Sequence, residues 1–491
     1  MAQFPKRLVE TFFIRMGSGL KKARPFHVCM ILIVTLVCSY GSAQAIAWHT
    51  TDTSATYTSY LPFIRNGSVT YYLDCVNGDD RNKGTSPTQA WKTLDKVNDK
   101  SFTLKRGENL LLKRGCSWTG PLLVRWSGTA DQPITIGAYG SGDLPIIKNS
   151  TDKGNPNNVD ISASYVVVEY LHTMAKVERR DSSCANQAIG HTVGFNISSE
   201  SRYVTVRNSK AEKHTHAVRL RSGSRRSKLL YNEFINNTMM ETLDKAGNND
   251  SGAAAIVVQG DDNEIAYNRI DGHDACSYDY GRDGSAVEIY GGKRNYIHHN
   301  TAHNNNTFTE LGQKGSEDNT FAYNLVTADI PKAQFVVTRG GDSNRGPVLR
   351  TNVVHNTVYL THGESFAVNC DGTCGANILA LKNNIIWSNG TIGHIDSTGA
   401  QESNNVFWHS GGEGKIRIFF PTPEDRDRTS KIADPRFVDA AKGDFRLRSD
   451  SPAIDMGVEY NAGFKTSYDL AGNLIPQGGK LDAGAYEYVA R

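Results

Sequence analysis

The feature that most constrains this chain is a short unit, an Asn set between apolar residues, that returns at irregular but similar intervals. It recurs around Asn232, Asn268, Asn300, Asn324, Asn356, Asn384 and Asn405, as in Ala266-Tyr267-Asn268-Arg269-Ile270 and Ala322-Tyr323-Asn324-Leu325-Val326. Successive Asn lie 36, 32, 24, 32, 28 and 21 residues apart. A period of this size with variable insertions describes a solenoid, whose coils bury their apolar faces against their neighbours. Short apolar strands fill the intervals, three to a coil, and an Asn repeated at one turn lets stacked amides satisfy one another and tolerates left-handed backbone. The expected fold is all-β, a single-stranded right-handed parallel β-helix with a short N-terminal capping helix. A β-propeller would need blades of roughly 40 residues with a different signature.

The flanks of the repeat set the remaining boundaries. Residues 1–45 hold six basic residues (Lys6, Arg7, Arg15, Lys21, Lys22 and Arg24) and one acid, Glu10, before an apolar run from Cys29 to Val37 and Ala43-Gln44-Ala45. That is the layout of a secretory signal peptide, with cleavage expected after Ala45. The apolar run is shorter than the roughly 20 residues of a bilayer-spanning helix, so no membrane span is expected after cleavage. Residues 46–69, rich in Thr, Ser and Tyr, are expected to be a linker. Residues 70–410 form the β-helix, with Ser86-Pro87 opening a capping helix through Trp91, Leu94 and Val97. Residues 411–491 are a closing segment, and the product is expected to be secreted or periplasmic.

Composition narrows the partners. At 38% hydrophobic and 21% charged, the chain is neither disordered nor a multispan membrane protein. Taking the six basic residues and one acid of the signal from totals of 54 and 51 leaves 48 and 50, a net charge of −2. No nucleic acid partner is therefore expected. Six cysteines remain: Cys75, Cys116, Cys184, Cys276, Cys370 and Cys374. In an exported chain they favour disulfides, but six cysteines permit fifteen pairings, and only Cys370 with Cys374, closing a tight loop, stands out.

Strand alternation then locates the chemistry. With Val218, Leu220, Val287 and Ile289 facing inward, Arg219, Glu288, Glu310 and Arg339 face outward near one groove. Glu288 and Glu310 are 22 residues apart, one compact coil, which sets their carboxylates about 5 Å apart along the sheet. Such a pair repels, and Ca²⁺ with oxygen ligands would resolve the repulsion, with Asp279 and Asp283 as further ligands. The alternative is a surface ladder neutralised by Arg219 or Lys293. Arg219, His298 and His303 are candidate substrate contacts. His298, His299, His303 and the pair in His214-Thr215-His216 are also candidates for metal binding or proton handling. Trp118, Trp126, Trp387 and Trp408 either stack on sugars or fill caps.

The strip Glu310-x3-Lys314-x4-Asn319-x4-Asn324, followed by Arg339-Gly340, resembles the site of β-helical polysaccharide lyases of the alginate lyase and chondroitinase type. The tail motifs Asp434-Pro435-Arg436-Phe437 and Leu481-Asp482-Ala483-Gly484, with Asn77-Gly78-Asp79-Asp80 near the start, resemble segments of exported pectate-lyase-like β-helix proteins. The resemblance implies Glu310 as a Ca²⁺ ligand, Lys314 as the base that removes the sugar C5 proton and Arg339 as the group that assists the leaving oxygen. The implied activity is β-elimination on an acidic, uronate-containing polysaccharide, carried out by a monomer. Two other enzyme readings stay open. Asp271-Gly272-His273-Asp274, with Tyr267 and Tyr278 nearby, resembles the site of β-helical mannuronan epimerases, and Asp261-Asp262 offers the paired acids of a polygalacturonase-like hydrolase. A non-catalytic glycan-binding protein would use the same outward columns for binding alone.

Overall fold

The computed structural model describes residues 68–148, 155–175, 183–397, 399–419, 427–461, 463 and 465–490. The expected signal peptide and, apart from its last two residues, the linker lie outside the described residues. Three long sheets of 12, 11 and 12 strands run through the described chain, each strand pairing in parallel with the strand one coil away. One coil takes a strand from each sheet: Tyr296–His298 in sheet A, Thr301–His303 in sheet B and Thr307–Gly312 in sheet C, after which Thr320–Ala322 re-enters sheet A. This is a parallel β-helix. None of the helices among the described residues is long and apolar enough to cross a membrane.

Apolar residues in register make the core. Leu229, Ile265, Ile297, Phe321 and Val353 stack along sheet A, Phe234, Ile270, Ala302 and Val326 along sheet B, and Val218, Ile256 and Val287 along sheet C. All are buried. The repeated Asn occupy the turn between sheets A and B as a buried ladder, in which each Nδ2 donates to the Oδ1 of the next at 2.9–3.0 Å from Asn232 to Asn405. The left-handed backbone belongs to the residue before each Asn: Tyr231, Tyr267, His299, Tyr323, His355, Asn383 and Asn404 have φ between 52° and 58°. The Asn itself turns inward, because its amide is needed by the buried backbone of the adjacent coils. A second ladder, Asn263–Asn295–Asn319, and a third, Asn237–His273–Asn305, line the other two turns.

Both ends differ from the sequence-based expectation. Pro87–Gln89 is a short 3₁₀ turn and Asp95–Asn98 a single α-helical turn, with extended chain at Trp91 between them. The backbone N–H of Trp91 donates to Tyr72 and its carbonyl accepts from Asp74, and this pairing with the first strand of sheet A interrupts the helix. Trp91, Leu94 and Val97 are nevertheless buried, and Trp118 and Trp126 are buried in the same cap. At the other end, Ile418–Phe419 and Lys431–Ile432 continue sheets C and B, so strand pairing passes the expected boundary at 410. The tail then runs back along the turn between sheets A and B. Asn404 donates to the Met456 carbonyl, Asn383 to that of Val458, and the His355 and His299 rings meet the carbonyls of Asp482 and Tyr468. Phe437 and Phe445 cover Tyr359, which stacks on Trp387, so that aromatic column serves the closing segment. The six cysteines pair as Cys75–Cys116, Cys184–Cys276 and Cys370–Cys374.

Candidate functional site

Sheet C carries the site because its strands place polar residues outward in register. Asn196, Arg219, Val257, Glu288, Glu310, Val337 and Asn369 form one column along successive strands. Insertions wall it. Two of the three longest intervals, from Asn232 to Asn268 and from Asn268 to Asn300, contain the antiparallel hairpins Met240–Thr242 with Ser251–Gly252 and Ala275–Ser277 with Gly281–Asp283. Both precede sheet C strands. The segment between Arg339 and Val348, which follows a sheet C strand, lengthens the Asn324 to Asn356 interval and carries Arg345.

Hydrogen bonds fix the hairpins to each other, and one disulfide anchors the second. Asp250, buried, accepts from the Ser277 hydroxyl at 2.8 Å and the Tyr278 N–H at 2.6 Å, and Cys184–Cys276 ties the second hairpin to the loop before Val193–Ile197. Asp279 accepts from the backbone N–H groups of Asn249 and Asp250 at 2.7 and 2.9 Å. Its carboxylate is thus committed to joining the hairpins, which is why it does not serve the groove as expected.

The remaining acids are arranged unequally. Glu310 accepts from Arg339 Nη2 at 2.9 Å and from the Tyr290 hydroxyl at 3.2 Å, and Arg345 reaches the same hydroxyl at 3.3 Å. Among the described residues, Glu288 accepts a hydrogen bond from the Ser285 hydroxyl alone, at 3.1 Å. Burial, reinforced by the charges of Asp283 and Glu310, holds Glu288 well above the usual carboxyl range. Burial and then Glu310 push Asp283 up to about 7. Arg219 is lowered by burial and by Arg221, and its Nε is buried without a hydrogen-bond partner among the described residues. Neighbouring Glu241 and Glu288 oppose that shift.

Of the residues expected from sequence, Arg219, Glu288, Glu310, Arg339 and Asp283 come to this face. Val257 separates Arg219 from Glu288 in the column, and Arg339, two residues past the register partner of Glu310, returns to it through the ion pair. Lys314 lies exposed in the turn after Thr307–Gly312, and the structure describes no contact between it and Glu288, Glu310 or Arg339. His298 and His303 are on other faces: they belong to sheets A and B, where His298 is buried against His299 at 2.7 Å and His303 meets the Thr327 hydroxyl at 2.9 Å. Their position in the coil removes them from the Arg219 column. Among the described residues one group of three His, Cys, Asp or Glu brings ligand atoms within 4.8 Å of one another, and it contains none of Asp279, Asp283, Glu288 and Glu310.

The other motifs are absorbed by the scaffold. His273 is fully buried in the third ladder and held down to about 4 by burial, while Asp274 pairs with Arg282. A ring locked between Asn237 and Asn305 cannot reach a sugar, which removes the proton-handling group of the epimerase reading. Asp262 pairs with Arg294 at 2.7 Å and Asp261 accepts from the Lys293 N–H at 3.0 Å, both on the turn between sheets C and A. Tyr290 and Arg345 were not anticipated. Tyr290 follows Glu288 by two residues on one strand, so alternation alone would have found it, whereas Arg345 sits in an insertion with no pattern.

No family model matches the chain. Over 137 residues it is 35% identical to a lacto-N-biosidase of Bifidobacterium longum subsp. longum, a match that takes in 27% of this chain and 9% of that enzyme's length. Among solved structures it is similar to a pectate lyase, with a TM-score of 0.52 and 15% identity over 86% of this chain and 97% of that one. It is similar also to XylC in complex with xylose, with a TM-score of 0.51 and 9% identity over 85% and 98% of the two chains. At these identities the two structures share the fold alone.

Proposed function

We propose that the chain is a glycan-active enzyme that hydrolyses a glycosidic bond in the groove over sheet C. The observation that carries this reading is the unlike environment of two register-paired carboxyls. Glu288 is held toward its protonated form, while its neighbour Glu310 is ion-paired with Arg339. Glycoside hydrolysis uses such a pair, with one carboxylic acid protonating the leaving oxygen and one carboxylate acting at the anomeric carbon. Glu288 is assigned as the acid, its proton affinity raised by burial and by the Asp283 charge. Glu310 is assigned as the carboxylate, held in place by Arg339 and Tyr290. The glycosidic C–O bond breaks, the leaving oxygen takes the Glu288 proton and water supplies the new hydroxyl. Similarity to a lacto-N-biosidase supports hydrolysis and puts glycans containing lacto-N-biose first among substrates to try. Three disulfides support a secreted or periplasmic setting.

A second reading keeps β-elimination on a uronate polysaccharide, with Lys314 as base and Arg339 beside the leaving oxygen. It is favoured by Lys314, which lies exposed on the same coil as Glu310. Ca²⁺ between Glu288 and Glu310 would there mask the uronate carboxylate. One assay separates the two. The protein is incubated with lacto-N-biose glycans and with a panel of uronate polymers, and both new reducing ends and the ultraviolet absorbance of a conjugated uronate double bond are followed. Hydrolysis gives reducing ends without that absorbance. Appearance of the absorbance, abolished in Lys314→Ala and by a chelator, would overturn the hydrolase reading, and binding without either signal would remove catalysis altogether.

A further inference from the structure

The group of three ligand-bearing side chains set apart above consists of His191, His216 and Glu241. They come from three separate segments. His216 begins the sheet C strand His216–Leu220, His191 lies in the loop before Val193–Ile197, and Glu241 lies on the first hairpin strand, Met240–Thr242. Their proximity is built by backbone contacts: the Gly190 N–H donates to the Met240 carbonyl at 2.9 Å, the Met240 N–H donates to Ala188 at 2.9 Å, and the Thr215 hydroxyl donates to the Gly190 carbonyl at 2.6 Å. The Cys184–Cys276 disulfide secures the loop that carries His191.

Two observations point to a ligand. His216 is only 6% exposed, and its Nδ1 is buried with no hydrogen-bond partner among the described residues, a costly state for a ring nitrogen. The His191 and His216 rings meet edge to face with centroids 6.1 Å apart, and His191 Nδ1 lies 2.9 Å from Glu241 Oε1. The facing charges are Arg219 on the strand of His216, Arg221 beyond it and Glu241 on the hairpin.

We propose that His191, His216 and Glu241 form a binding site for a divalent transition metal, with Zn²⁺ the ion that the donor set suits. Two imidazoles and one carboxylate are a known three-ligand set for Zn²⁺, which leaves a fourth position to water or another ligand. A tetrahedral ion with bonds of about 2.1 Å separates its ligands by roughly 3.4 Å, so atoms that now lie from 2.9 Å to within 4.8 Å of one another need only small shifts to take it. Glu241 is exposed, so the ion enters from solvent. The ion also gives the orphaned His216 nitrogen a partner and replaces the direct contact between His191 and Glu241.

The test uses the full folded chain after chelator treatment and dialysis. Calorimetric titration with Zn²⁺ should show one saturable equivalent, and Co²⁺ should develop the visible absorption bands of a low-coordinate site. Glu241→Gln, on an exposed hairpin, and His191→Ala should each weaken Zn²⁺ binding tenfold or more and reduce the Co²⁺ bands. His362→Ala, remote from the group, should leave both unchanged. Absence of saturable Zn²⁺ uptake by the wild-type chain would overturn the proposal, as would undiminished binding by a folded Glu241→Gln variant. In either case the three side chains are an ion pair packed beside a buried histidine. Melting temperature read with and without Zn²⁺ separates these outcomes from misfolding, since only a metal site makes the wild-type midpoint rise with Zn²⁺.

Discussion

At the scale of single residues, burial decides what each carboxyl does. Glu288 and Glu310 are the same residue type at matching positions one coil apart, yet Arg339 compensates only Glu310. Glu288→Gln keeps the shape and removes the acid, so turnover on the cognate glycan should fall roughly 10²-fold or more while the melting temperature holds or rises. Asp283 gives a stability prediction with a definite sign. Its folded-state pKa of about 7 exceeds the ordinary carboxyl value, so between those limits the folded protein binds its proton more tightly than the unfolded chain. Stability therefore falls as pH rises from the usual carboxyl range to about 7, by at most about 1.4 kcal/mol per pH unit. Denaturant titrations of Asp283→Asn should show a flatter profile through that window. An unchanged slope would mean the carboxyl is already ionised.

At the scale of elements, the ladder and the hairpins divide the work between support and site. Asn300 accepts from both N–H groups of Asn268 and donates to Ile265 and Asn324, all buried. Asn300→Ala leaves several of these groups unsatisfied and should cost roughly 2 to 4 kcal/mol. Asn304→Ala, which loses an exposed contact to Asp329, should cost far less. Chemical denaturation of the two variants compares them directly. The hairpins are insertions joined to each other by a few hydrogen bonds, and Cys184–Cys276 ties the second to the loop before Val193–Ile197. Replacing both cysteines by Ser should loosen the wall of the groove, lowering affinity for substrate more than it lowers the melting temperature, because the sheet ladders do not depend on that bridge.

At the scale of the whole molecule, stability is a sum over neighbouring coils, and exposed ends are its weak points. The N-terminal cap covers one end with Trp91, Leu94, Val97 and Phe102, and the returning tail pins the turn column from Asn404 to His299. A chain ending at residue 450 loses the partners of Asn404, Asn383, His355 and His299 together. It should melt at a lower temperature and expose a stripe of Tyr and His. A truncated chain that melts like the full one would show that the stack alone carries the stability.

The sequence by itself determined the coil. A recurring Asn in apolar context specifies a buried turn, alternation specifies which side chains face outward, and together they placed Arg219, Glu288 and Glu310 on one sheet. The longer Asn intervals also marked where the walls of the groove are inserted, although not what they carry. Only the tertiary structure decided which of the polar residues meet. His298 and His303 lie within one stretch of sequence with Glu310, but a coil turns three ways and sends them to different sheets. His191, His216 and Glu241 follow one another at 25 residues, about one coil, but they sit on a loop, a strand and a hairpin, and only the packing of those three brings them together. Asp279 looked like a ligand until the hairpin backbone claimed its carboxylate. In a solenoid the repeat fixes position along and around the coil, which is local information. The contacts of an insertion depend on neighbouring coils, and that information exists only once the stack has formed.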